Sequence, residues 1–187
     1  MPSAERPDID ASGLGHVGEL EMRASFPSSY QWDARSLAGM MRPVLSPAFA
    51  RFIEAQPFFF IGTADADGMC DCSFRGREYR ADGTALPALK VMNEREVVFP
   101  DFPGNGLYNS LGNLRVNPGI GMLFMDFERQ RRVRLNGRAT IRRADETVRA
   151  IWPLAQASIT VEVVQAYGNC SARIPRMTMI AGSDAGW

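Results

Sequence analysis

Residues 99–113, FPDFPGNGLYNSLGN, contain the grouping with the clearest chemical use. Gly104, Asn105 and Gly106 tolerate unusual backbone angles and carry little bulk. Backbone N–H groups exposed there, beside the start of a short helix, can cradle an anion such as a phosphate. The same composition also makes an ordinary turn, so the loop alone does not decide between the two.

The other reactive side chains are sparse. His16 is the only histidine. A Ser-His-Asp or Cys-His mechanism, or a histidine-rich zinc site, would rest on it alone. It lies in a polar N-terminal stretch and reads as a surface or interface residue. Cys70 and Cys72 form a C-x-C on a predicted strand, with both side chains on one face. Redox pairs use C-x-x-C at a helix N-terminus, and a metal site needs more soft ligands than Cys170 can add. No metal is expected, and the two cysteines are expected to be small buried hydrophobes.

Asp126 and Glu128 stand two apart, the spacing of an acid/base pair on one side of a strand. Their arginine neighbours make salt bridges the expected outcome. Arg129, Arg131, Arg132, Arg134, Arg138, Arg142 and Arg143 crowd one region. A solvated face, a dimer contact or a nucleic-acid patch would all use them. Without interleaved aromatics and with zero net charge, nucleic acid is disfavoured. No nucleophile has a local base, and there is no P-loop or dinucleotide fingerprint. The catalytic residues are therefore unknown, and any chemistry is expected to belong to a bound cofactor.

The 187 residues, 45% hydrophobic and 22% charged, suffice for one well-buried domain. Lys90 is the only lysine among 21 basic residues. The N-terminal MPSAERPDID has neither a basic n-region nor an apolar h-region, and no apolar run reaches the length of a membrane span. A cytoplasmic location with no membrane partner is expected.

Residues 1–45 read as an N-terminal arm with a short helix at 37–41, ahead of a single domain over 46–187. Ser46-Pro47 starts a helix with Phe49, Phe52 and Ile53 on one stripe, ended by Pro57. Residues 58–63 and 69–74 form a hairpin around Asp65-Ala66-Asp67-Gly68. Residues 86–92 and 96–99 form a second one. A helix over 110–116, strands over 119–127 and 131–141, a helix over 145–156 and a strand over 158–167 complete the reading. The class is mainly β, a small barrel with helical decorations.

Taken as an ordered set, these pieces resemble the pyridoxamine 5′-phosphate oxidase-like family of FMN-binding split barrels. The resemblance covers roughly residues 46–170, through FFFIGTADADGMCDCSFRG, ALPALKVMNEREVVFPD, GNGLYNSLGNLRVNPGIGMLFMDFE and VRLNGRATI. Tyr167-Gly168-Asn169-Cys170 is similar to a subgroup with a Gly-Asn-Cys motif, and Gly15-His16-Val17-Gly18-Glu19-Leu20 to its entry segment. The resemblance implies a Greek-key split barrel and a homodimer with FMN at the subunit interface. It also implies flavin-dependent oxidoreduction of a small-molecule substrate.

Residue by residue, it implies that Lys90 reaches the ribityl-phosphate. Phe99, Pro100 and Asp101 would lie along the ring and ribityl chain. Ser73 and Arg75 would flank the flavin, and Arg132 would reach it from the second subunit. Asn105, Gly106, Ser110 and Asn113 would hold the phosphate end. Two adjacent basic residues that grip phosphate in the true oxidases are replaced here by Gly106 and Leu107. Ala85 replaces a further arginine, and the oxidases' C-terminal Arg/His pattern is not recognisable, so their specific activity is not implied. A non-enzymatic flavin or haem binder and a deazaflavin-dependent reductase remain the alternatives on this fold.

Overall fold

A computed structural model describes residues 13–26 and 28–180. It divides into two units, residues 1–42 and 43–187. The start of the expected arm, residues 1–12, lies outside the described residues.

The N-terminal unit carries two helices. α1 (Val17–Ser25) forms within the stretch that reads as an arm without a helix before residue 37, and the His16 N–H donates to Glu19 Oε2 at its start. It buries none of its side chains. α2 (Ala34–Met40) begins three residues before the expected 37–41, because Asp33 caps it by accepting from the Ser36 N–H at 2.7 Å.

In the second unit, α3 (Pro47–Glu54) starts as expected, with Ser46 accepting from the Phe49 N–H and Pro47 at the first helical position. Seven strands follow: β1 (Phe58–Ala64), β2 (Cys70–Gly76), β3 (Lys90–Asn93), β4 (Glu96–Asp101), β5 (Gly119–Asp126), β6 (Arg131–Arg143) and β7 (Ala157–Gly168). Helices α4 (Asn109–Val116) and α5 (Glu146–Ile151) lie between them in sequence. The strands form one antiparallel sheet in the order β2-β1-β5-β6-β7-β4-β3. No helix among the described residues is long and apolar enough to cross a membrane.

Two expected elements are shorter than read. Residues 86–89 are not strand; Leu86, Ala88 and Leu89 are buried nonetheless, beside Pro87, whose carbonyl accepts from Trp152 Nε1 at 2.7 Å. Burial, not pairing, explains their apolar character. α5 stops at Ile151, ahead of Pro153, where the sequence reading continued to 156.

The sheet curls on itself. Neighbouring strands lie about 4.8 Å apart, so β1 and β4 would be roughly 19 Å apart in a flat sheet. Their Phe59 and Phe99 rings instead meet edge to face, 5.3 Å between centroids. Phe59, Phe99, Phe124, Leu135, Ile159 and Val161 fill the interior. A satellite cluster of Leu86, Val98, Ala144, Trp152 and Ala155 packs on the other face of β4.

β2 is an edge strand that alternates faces. Cys70, Cys72 and Phe74 point outward and are exposed, which corrects the expectation that the cysteines are buried. Among the described residues β2 pairs with β1 alone, which leaves its other edge open.

Candidate functional site

The alternation that exposes Cys70 and Cys72 turns Asp71, Ser73 and Arg75 to the opposite face. There they meet the end of β4. Arg75 Nη1 donates to Asp101 Oδ1 at 2.9 Å. Asp101 is 5% exposed, and its second oxygen accepts from Gln156 Nε2 at 2.8 Å. The pair joins two strands five steps apart in the sheet order, so it bolts the seam of the barrel. Asp101 is fully satisfied, but the Nε of Arg75 is buried and has no acceptor.

α4 closes the other side. Ser110 donates to Asp71 Oδ2 at 2.8 Å, and Asn113 Nδ2 to Thr63 Oγ1 at 3.1 Å, fixing the helix to β2 and β1. The chain reaches α4 through two residues in the left-handed region, Gly106 (φ 77°) and Tyr108 (φ 53°). For Tyr108 that conformation is costly, and such strain concentrates at functional sites. Asn105 Oδ1 accepts from the Leu107 N–H at 3.1 Å, an Asx turn that shapes the loop. The backbone N–H groups of Asn105 and Gly106 find no acceptor among the described residues.

These elements enclose a pocket of about 280 Å³. Six expected positions line it: Ser73, Arg75, Asp101, Asn105, Gly106 and Ser110. The other five do not. Lys90 stands at the start of β3, its Nζ 3.9 Å from Glu54 Oε1. Phe99 points into the core, and Pro100 is buried beside it. Asn113 is spent on Thr63, and Arg132 lies on β6, its Nε buried and without an acceptor.

Sequence reasoning missed Asp71, Phe102, Tyr108 and Gln156, which also line the pocket. Asp71 was legible in principle, since it shares the two-residue period of Ser73 and Arg75. Gln156 was not, because it was read as the end of a helix.

The pocket's charge is not that of a strong phosphate site. Arg75 is its only lining cation, against the carboxylates of Asp71 and Asp101. Its donors include the Arg75 guanidinium, the Ser73 and Tyr108 hydroxyls, the Asn105 and Asn109 amides and loop N–H groups. That set fits a hydrogen-bonding ligand with a single anionic end, an FMN-type ribityl phosphate included, with most of the grip coming from the backbone.

The expected salt bridge beside β5 is present. Burial pushes the Asp126 carboxyl up, but hydrogen bonds from the Arg129 backbone and side chain outweigh it and hold the group below its ordinary value of 3.8. Arg129 Nη1 lies 3.1 Å from Asp126 Oδ2. Glu128 joins no ion pair among the described residues.

The fold recurs in solved structures. HupZ of Group A Streptococcus is 17% identical, with 66% of this chain and 93% of that chain covered and a TM-score of 0.51. A putative pyridoxamine 5′-phosphate oxidase from Lactobacillus delbrueckii is 10% identical, with 68% and 98% covered and a TM-score of 0.51. HutZ from Vibrio cholerae, a haem storage protein, is 16% identical, with 66% and 93% covered and a TM-score of 0.39. At these identities the likeness to the first two shows the fold alone. No protein of curated function matches the sequence. A family model described as pyridoxamine 5′-phosphate oxidase matches residues 45–181, and the chain therefore belongs to the pyridoxamine 5′-phosphate oxidase family, on a split barrel.

Proposed function

We propose that the protein is a homodimeric, cytoplasmic oxidoreductase that binds FMN and acts on a small molecule. The observation that carries this reading is the pocket between β2, β4 and α4. It gathers six of the expected contact positions around an Arg75 whose Nε lacks an acceptor. When bound, FMN supplies a ring that takes up or releases a hydride or single electrons.

The chain's part is to bind and orient. Arg75, held by Asp101, presents the one cation to the phosphate end. The free N–H groups of Asn105 and Gly106 take the place of side-chain charge, with Ser110 and Asn113 fixing the helix that carries the loop. The Ser73 hydroxyl, whose contact within the chain is a long 3.5 Å to the Phe74 carbonyl, is available to the ring or ribityl chain. At the end of β4, Asp101 lines the site, and Phe99 and Pro100 back it from the core side. Arg132 would reach the flavin from the second subunit, and Lys90, at the start of β3, would reach the ribityl-phosphate.

The outer face of the sheet supports a second copy. Phe58, Phe60, Phe74 and Phe127 form an aromatic group there, with centroids 5.3–6.3 Å apart, and Phe74 is 59% exposed. The orphaned Arg132 Nε would gain an acceptor at such an interface.

The test is the absorption spectrum of the purified protein, repeated after adding FMN and gel filtration. Retention of about one flavin per chain, absorbing near 450 nm, supports the reading. A Soret band moves the protein to the haem binders, and absorption near ~420 nm to the deazaflavin reductases. A colourless protein that releases added FMN refutes the cofactor assignment.

A further inference from the structure

A second cavity adjoins the first. It measures about 450 Å³, within the range of small-molecule sites. Tyr79, Leu86, Phe102, Pro153 and Leu154 supply its apolar walls. Phe102 lines both cavities and is the partition between them.

The walls are built, not incidental. Residues 78–86 fold back on themselves as a small flap. Tyr79 bridges Ala85, the Leu86 N–H donates to the Glu78 carbonyl at 2.8 Å, and Arg80 N–H to the Thr84 carbonyl at 2.9 Å. Gly83, at φ 80°, makes the turn. Opposite, Pro153 and Leu154 follow the fully buried Trp152, which is tied to Pro87. Phe102 is held through its backbone, since its carbonyl accepts from Gln156 Nε2 at 3.3 Å. Tyr79 and Leu154, which line this cavity, are 58% and 66% exposed, so its mouth presents two large apolar side chains.

The rim is charged but not basic. Glu78 and Asp82 stand there with Arg80, two carboxylates against one guanidinium. Neither Glu78 nor Arg80 joins an ion pair among the described residues. Apolar walls with this rim suit a compact planar molecule that is neutral or carries one positive charge, and disfavour an anion.

We infer that this cavity is a binding site for a compact, planar, apolar molecule, neutral or singly cationic, and that it is the substrate's subsite beside the cofactor pocket. The subsite role rests on the cofactor reading; the binding site does not. Phe102 is the contact through which the two occupants sense each other.

The experiment titrates 2-naphthol into the purified protein without added flavin, following the methyl signals of Leu86, Leu154 and Leu123 by NMR. Leu123 lies on the sheet beside Phe60 and reports binding elsewhere. Saturable shifts at Leu86 and Leu154 alone support the site. Leu154→Arg, at an exposed position that folding tolerates, is expected to weaken binding by about tenfold or more. Met69→Ser, at an exposed position that lines neither cavity, is expected to leave it unchanged. 2-Naphthoate is expected to bind more weakly than 2-naphthol.

Shifts centred on Leu123, no saturation, or equal binding by Leu154→Arg would overturn the site. A protein that binds 2-naphthol but retains no FMN keeps the site and loses the cofactor reading. If FMN is retained, the 2-naphthol affinity must differ with and without it, by linkage through Phe102. Identical affinities would remove the subsite role.

Discussion

Replacing Arg75 with methionine tests whether the Arg75–Asp101 pair closes the barrel. Asp101 is 5% exposed and the Arg75 side chain 19%, so the substitution strands a buried carboxylate with only Gln156 as partner. Breaking a buried pair from one side costs about 3–5 kcal/mol. Two features pull toward the lower end: Gln156 still donates to one oxygen, and Arg75 Nε already lacks an acceptor in the native protein. We therefore expect a loss of about 3 kcal/mol, or a melting temperature lower by about 6–12 °C for a domain of this size. Urea unfolding followed by circular dichroism measures it, with an unchanged m-value showing that only stability moved. The double variant Arg75→Met/Asp101→Leu removes both charges and should recover much of the loss, because apolar replacement of a buried pair is tolerated. A loss under about 1 kcal/mol for Arg75→Met would refute the reasoning. So would a double variant no more stable than the sum of the two single changes.

Gly137 sits at the register shift between β6 and β7, where an added Cβ would lie 2.3 Å from the Glu162 carbonyl oxygen and 2.5 Å from Val161 Cγ1. Gly137→Ala is expected to cost about 1–3 kcal/mol in a urea titration, since backbone must shift. Asp126 has its folded pKa lowered, so its contribution is present above 3.8 and fades as pH falls through the lower folded value. The stability gap between wild type and Asp126→Asn, from urea midpoints, should therefore shrink on acidification below pH 3.8 and stay constant above it. Leu107, 69% exposed at the pocket's loop, stands where a cation is missing. Leu107→Arg should tighten FMN by about 10- to 150-fold, worth ~1.5–3 kcal/mol, and leave riboflavin, which has no phosphate, unchanged in parallel fluorescence titrations.

Local structure was legible wherever a single short-range rule decided it. Ser46-Pro47 specified the start of α3, and the turn at residues 65–68 is held by Asp65 Oδ1 accepting from the Asp67 and Met69 N–H groups, both at 2.9 Å. The strands were legible because Phe59, Ile61 and Thr63 bury one face of β1 while Val133 and Leu135 bury one face of β6. Closure was not legible. Arg75 meets Asp101 across 26 residues and Asp71 meets Ser110 across 39, contacts that exist only once the sheet order is known. The same holds for the cysteines: a C-x-C on a strand is buried or exposed according to which neighbour flanks it, and β2 lies at the edge. Residues 86–89 misled for a different reason. Their apolar run serves the satellite core around Trp152, and periodicity cannot separate a buried coil from a buried strand. Of the candidate site, the GNG loop drew attention by its composition and Ser73 and Arg75 entered through the family resemblance, whereas Gln156 and Phe102 join the pocket only through the fold.

Under the proposed function, two copies of this chain together hold FMN. Sedimentation velocity of the FMN-treated protein, detected at about 450 nm and in the ultraviolet, tests both halves in one run. A single boundary of twice the chain's mass that absorbs at both wavelengths, with about one flavin per chain, is expected. A boundary at the mass of one chain, or a dimer that is colourless while the flavin stays unsedimented, would contradict it.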